Sequence, residues 1–120
     1  MNPIRTAVIG AGRWGRNLIR NVKMSPALRL AAVVDSDPSR FPQYRNVVTS
    51  VIPERVWNDI SITAVIIATP PETHFDLVQS ALAAGKHVLC EKPLALRTQD
   101  CESLKRLSES RQLCLMLDCT

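Results

Sequence analysis

VIGAGRWGRNLIRN, residues 8–21, decides how this chain is read. Three glycines, Gly10, Gly12 and Gly15, separate an apolar, β-branched run from a basic one that carries Trp14. Before them, Ile4–Ile9 is bounded by Pro3 and Gly10 and has the composition of a strand. From Arg13 the period changes. Trp14, Leu18 and Val22 fall at i, i+4 and i+8, one helical face, until Ser25-Pro26 halts the pattern. On that spacing Trp14 belongs to the helix's core stripe. The glycines therefore occupy a strand-to-helix turn. Such a turn either makes a tight connection and nothing more, or clears side chains from a backbone that a ligand must touch.

The next segment favours the ligand. Leu28–Val34 is a second apolar run, ended by the turn-rich Asp35-Ser36-Asp37-Pro38. Strand, glycine turn, helix and strand fill about 30 residues, the size of a βαβ unit. Asp35 lies 20 residues beyond Gly15, the spacing of the dinucleotide fingerprint G-x-G-x-x-G followed by an acid. Gly10 permits the tight turn, Gly12 lets a pyrophosphate approach the main chain, and Gly15 lets helix and strand pack closely. The phosphates are then expected over the unpaired amides that open the helix, where the dipole favours an anion. Asp35 is expected to accept from the adenosine ribose hydroxyls and to repel a 2′-phosphate, which favours NAD over NADP. Ser36 and Arg40 nevertheless leave a landing place for that phosphate, so NADP stays open. Arg13 sits inside the loop, facing phosphate or solvent.

The same alternation runs on to residue 117. Val47-Val48 is a short strand and Pro53–Trp57 a short helix with proline at N1. Thr63–Ala68 (TAVIIA) is apolar throughout, as a strand covered on both faces should be. Pro71–Ala84 has helical spacing and ends at Gly85, in the C′ position. Lys86–Cys90 is a strand, Thr98 is the N-cap of a helix, and Leu113–Leu117 is a last strand. Strands alternating with helices predict an α/β fold: a doubly wound parallel sheet of five to six strands, helices on both faces, in one domain.

Composition narrows the classes further. With 46% hydrophobic and 22% charged residues, the 120-residue chain has ordinary globular usage. Runs such as Ala64–Ala68 are too short to cross a bilayer, and the N-terminus lacks a signal peptide's apolar region. A net charge of +4 from scattered arginines, with 4% aromatics, argues against nucleic acid as a main partner. Cys90, Cys101, Cys114 and Cys119 form no C-x-x-C pair and have no histidine cluster, so no metal site is expected. Reduced, mostly buried thiols imply a cytoplasmic protein.

Two further motifs follow the fourth and fifth strands, on the edge where an open parallel sheet binds ligands. They are IATPPETH (residues 67–74) and AGKHVLCEKPLAL (residues 84–96). Together with the glycine motif, they resemble the Gfo/Idh/MocA family of sugar dehydrogenases, over Ile4 to about Met116. The resemblance implies the nucleotide-binding half of an NAD(P)-dependent oxidoreductase. Such an enzyme moves hydride between nicotinamide and a hydroxyl or keto carbon of a sugar, nucleotide sugar or polyol.

It further implies that the backbone of Ala68, Thr69, Pro70 and Pro71 passes beside the cofactor, with His74 capping or packing near the next helix. Glu91, Lys92 and Pro93 are implied near the nicotinamide end. There Lys92 is the catalytic residue that hydrogen-bonds the reacting oxygen, and Pro93 holds it at a rigid bend, of which a cis peptide is one form. A solvated Glu91–Lys92 surface pair and a structural His74 are the plain alternatives, and His87 reads as a packing residue. Family members are about three times this length. The substrate domain, with its acid–base residues and the usual homo-oligomer interface, is therefore expected outside this chain. The family's Gly-His-Thr after the last strand is here Asp118-Cys119-Thr120, which leaves any role of that histidine unfilled. A free-standing NAD-binding module without catalysis of its own is the alternative reading.

Overall fold

The computed structural model describes residues 2–118. Among them run β1 (Ile4–Ile9), α1 (Arg13–Met24), β2 (Leu28–Val34), β3 (Val48–Ser50), α2 (Glu54–Trp57) and β4 (Ala64–Ile67). They are followed by α3 (His74–Ala83), β5 (His87–Glu91), α4 (Thr98–Ser110) and β6 (Leu115–Asp118). The strands form one six-stranded sheet in the order β3-β2-β1-β4-β5-β6, and every neighbouring pair is parallel. The chain starts at the centre, winds to one edge, crosses back and winds to the other. The order reverses between β1 and β4, so the loops leaving these two strands diverge and open a crevice. This is the doubly wound Rossmann-like architecture that the alternating pattern predicts.

Strand alternation divides the core into two layers. Val8, Val33 and Ile66 face α1, where they pack with Ile19 and Val22. Ile9, Val34, Val65, Ile67 and Val88 face the other way, onto Val56 of α2, Val78 and Leu82 of α3 and Leu104 of α4. Lys86 is buried at the α3–β5 junction, and its ammonium donates to the carbonyls of Asp59 and Ile62 at 2.6 Å each. Those two bonds compensate the buried charge. No helix is long and apolar enough to cross a membrane among the described residues.

Several local expectations are corrected. Trp14 is 59% exposed and not in the core, because the buried stripe of α1 is Gly15, Ile19 and Val22 and Trp14 lies on its border. Thr98 is the first helical residue and not the cap. Arg97 takes the N-cap position, and its guanidinium clamps Asp100 across the first turn at 3.0 and 3.2 Å. Pro53 precedes α2 as its N-cap, one place earlier than expected. The helix expected from Pro71 opens as a 3-10 turn over Pro71–Thr73 before α3 begins. Pro70 and Pro71 supply no amide donors there, and Thr73 Oγ1 donates to the Pro70 carbonyl at 2.6 Å. Of the cysteines, Cys90 is buried, Cys101 half-buried and Cys114 exposed, while Cys119 lies outside the described residues. His87 is exposed, and its Nδ1 accepts from the Cys114 amide at 3.0 Å.

Two glycines separate space from conformation. A Cβ on Gly15 would land on the Gly10 carbonyl, whereas Gly85 at φ +81° has open space around it. Glycine to alanine inside a helix ordinarily stabilises by about 1 kcal/mol. Gly15→Ala is expected to reverse that sign and cost about 3 kcal/mol or more, because backbone must move. Gly85→Ala should cost about 1–2 kcal/mol, from its left-handed φ alone. Urea unfolding of both variants measures the contrast. Burial, and after it the Glu91 charge, push the Cys90 thiol up to about 12. Iodoacetamide at pH 8 should label Cys114 and spare Cys90 until denaturant is added, read by site-resolved mass spectrometry.

Candidate functional site

The crevice at the β1–β4 reversal is a cleft of about 660 Å³. Its floor is the glycine turn. Gly10 adopts φ +103°, and a side chain there would meet the Ala68 carbonyl at 2.5 Å. Its amide donates to Val34 O at 2.7 Å while the Ala68 amide donates to Ile9 O at 2.8 Å, so the turn is stitched to both flanking strands. Gly12 is the N-cap of α1 and contributes no side-chain cap, and no acidic residue stands in the first helical turn. The opening amides of α1, which have no intrahelical acceptor, meet no capping carboxylate of their own helix.

Asp35 stands at the rim with a carboxylate that is 9% exposed. Oδ2 accepts from the Ala11 amide at 2.7 Å, and Oδ1 accepts from the Asp37 amide at 2.8 Å. The side chain thus ties the tip of β2 to the glycine loop. Arg40, from the 3-10 turn Pro38–Arg40, places Nη1 3.3 Å from Asp35 Oδ2. The same nitrogen lies 2.8 Å from where a Cβ on Gly12 would stand, so the guanidinium rests over that glycine. Asp37 caps this short turn by accepting from the Ser39 amide and hydroxyl, and those bonds hold its carboxyl below the usual range.

Of the sixteen residues singled out in the sequence, the cleft brings together ten: Gly10, Gly12, Arg13, Trp14, Asp35, Ser36, Arg40, Ala68, Thr69 and Pro70. Gly15 lies beneath it, against the Gly10 carbonyl. Val51, Pro53, Thr73 and Leu77 also line it and were not anticipated. Val51 is apolar and 50% exposed, just past β3 on the ligand edge.

Pro71, His74, Glu91, Lys92 and Pro93 do not line the cleft; the last four gather beyond it, around the ends of β4 and β5. His74 is 1% exposed and lies between the two loops. Its Nδ1 is 2.6 Å from the Pro93 carbonyl and its Nε2 is 2.8 Å from the Thr69 carbonyl. A neutral ring donates to one of these oxygens; a protonated ring donates to both. Glu91 Oε1 is buried without a hydrogen-bond partner. Desolvation first, then a hydrogen bond with Asp118 and that residue's charge, raise the Glu91 carboxyl above the usual range, against the pull of His74 and Lys92. β5 and β6 set this pair side by side, Glu91 opposite Asp118 in register. Lys92 is exposed, and the Lys92–Pro93 peptide is cis.

A family model, described as an oxidoreductase family with an NAD-binding Rossmann fold, matches residues 4–119. Inositol 2-dehydrogenase 1 of Saccharopolyspora erythraea is 36% identical over 104 residues, 82% of this chain and 31% of that protein. UDP-N-acetylglucosamine 3-dehydrogenase of Acidithiobacillus ferrooxidans is 32% identical over 119 residues, 95% of this chain and 36% of that protein. Among solved structures, GenD2 from gentamicin A biosynthesis, in complex with NAD, superposes with a TM-score of 0.91 at 26% identity. That match covers 98% of this chain and 34% of GenD2. The chain spans about a third of the length of the curated relatives it matches. With the motif match running almost end to end and the fold the same, the chain belongs to the Gfo/Idh/MocA oxidoreductase family, as its NAD-binding Rossmann portion.

Proposed function

We propose that this chain holds a nicotinamide dinucleotide and forms the cofactor half of a dehydrogenase acting on a CH–OH group of a sugar, nucleotide sugar or polyol. The observation that carries the reading is the glycine-floored cleft at the β1–β4 reversal with the Asp35 carboxylate at its rim. Its residues fit the group chemically. Gly12 and the first amides of α1 receive the pyrophosphate, Asp35 and Ser36 receive the adenosine ribose, Trp14 and Arg40 flank the adenosine half, and the Thr69-Pro70 backbone passes beside the cofactor. Glu91, Lys92 and Pro93 form the nicotinamide end. The bound nicotinamide supplies the hydride chemistry.

The chain's own residues bind and polarise. Lys92 is the catalytic residue: its ammonium hydrogen-bonds the reacting oxygen and stabilises the negative charge that gathers there. His74 braces the loop carrying Lys92 against the loop beside the cofactor. The named dehydrogenase relatives act on an inositol and on a UDP-amino sugar, and they support a polyhydroxylated substrate. At about a third of its relatives' length, the chain is expected to act with a substrate domain carried elsewhere in a complete enzyme.

Calorimetric titration of the chain with NAD+ and NADP+ tests the reading directly. Heat of binding is expected from at least one, and none from either removes the proposal. Asp35→Ser should raise NADP affinity relative to NAD by about tenfold, as one carboxylate facing a 2′-phosphate is lost. In the complete enzyme, Lys92→Ala should lower kcat about 100-fold or more, with the Kd for cofactor unchanged. Undiminished turnover would refute the role given to the lysine.

A further inference from the structure

Along its exposed side α1 carries a row of positive charge that extends well beyond the dinucleotide cleft. Arg13, Arg16, Arg20 and Lys23 follow one another at intervals of three, four and three residues, so they share one face of the helix. The row runs about 15 Å from end to end. It is separate from the buried stripe of Gly15, Ile19 and Val22, and all four side chains are exposed. No acidic residue stands on α1, and among the described residues none of the four cations has a carboxylate within ion-pair distance. Arg20 Nη2 donates to the neutral Asn17 Oδ1 at 3.2 Å, and the Lys23 ammonium lies 5.4 Å from the centre of the Tyr44 ring. The chain has 15 basic and 11 acidic residues, so these four cations equal its whole net charge of +4. Elsewhere the two signs balance.

Beside the row lies a hollow of about 520 Å³, lined by all four cations together with Asn17, Gln43 and Tyr44. Asn17 and Gln43 place side-chain amides between the charges. Tyr44 is 6% exposed and supplies a wall, not a platform on which a base could stack. Trp14, the exposed aromatic residue of this helix, lines the dinucleotide cleft instead. A single straight row of cations without a stacking ring suits carboxylates spaced along another helix better than the phosphates of a nucleic acid. Each guanidinium can hold a carboxylate by two parallel hydrogen bonds, and matching intervals on the partner set several such pairs in register. We propose that this face of α1 docks an acidic helix of a partner protein, one that presents Asp or Glu at alternating three- and four-residue intervals, with Arg20 and Lys23 as its anchors. Neither anchor lines the dinucleotide cleft, so the surface stands independently of the cofactor reading.

Two labelled helical peptides of identical composition test the surface against the 120-residue chain by fluorescence anisotropy. One carries its glutamates in a single row at three- and four-residue intervals; the other has the same glutamates scattered round the helix. The row peptide is expected to bind about tenfold tighter than the scattered one at low salt, and to lose most of that affinity at high salt. Arg20→Gln/Lys23→Gln should weaken the row peptide by about tenfold and leave NAD+ titration as in the parent chain, with circular dichroism confirming an unaltered fold. Arg20→Gln alone, which gives up only the bond to Asn17, should show part of the same loss. Equal affinity for the two peptides, or undiminished binding of the row peptide by the double variant, overturns the proposal. Tighter binding of a short DNA duplex than of the row peptide also overturns it and assigns the face to nucleic acid.

Discussion

Helix α1 leaves the sheet at a point where its third residue, Gly15, touches the carbonyl of Gly10 so closely that no Cβ fits between them. Much of the candidate site depends on this approach. With α1 pressed against the end of β1, its opening amides arrive at the crevice floor instead of being displaced from it by a side chain. Gly10 makes the approach possible with a left-handed φ, and its own lack of a side chain leaves the Ala68 carbonyl in place. The helix terminus, the strand end and the loop after β4 thus meet within one turn of backbone. A backbone-lined floor of this kind recognises a group common to many ligands, a phosphate, and leaves discrimination to the rim.

At the rim the structure is more crowded than a simple fingerprint suggests. Asp35 already accepts from Ala11 and Asp37, and Arg40 leans on it from the β2 turn. A ribose that bonds Asp35 must share the carboxylate with these donors or move the arginine. Moving Arg40 is inexpensive, since its side chain is 44% exposed and its ion pairs are near the surface, where such pairs contribute little. The Ala11 bond is different. It is short, part-buried and tied to the glycine loop, so it holds the carboxylate at the rim whether or not the guanidinium stays.

Legibility in the sequence follows the strength of local pattern. β1 and β2 end where their apolar runs end, because both lie in the sheet interior and turn residues follow at once. The G-x-G-x-x-G spacing and Asp35 needed only counting. Trp14 shares a helical face with Leu18 and Val22, yet the buried stripe of α1 is Gly15, Ile19 and Val22, and the ring on its border stays exposed. Thr98 misled because a good capping residue stands beside Arg97, whose ion pair with Asp100 closes the first turn instead. A polar hollow between α1 and the turn after β2, lined by Arg16 and Gln43 among others, was not legible at all. Its walls come from α1 and from the irregular segment after β2, a stretch with no period, and their meeting depends on how that segment folds back.

His74 shows how two sites on separate loops become one. Its imidazole lies in the protein interior between the Thr69 and Pro93 carbonyls, so the loop that lines the cleft and the loop that carries Lys92 share a single buried brace. With the ring neutral only one of the two carbonyls accepts from it, and a shift of either loop would part its carbonyl from the ring. The Glu91 carboxyl lies on the same side, with one oxygen buried and unbonded and Asp118 beside it in register. Burial first, then the hydrogen bond and charge of that aspartate, raise the Glu91 carboxyl above the usual range. The end of β6 thus bears on the residue next to Lys92 through the strand beside it.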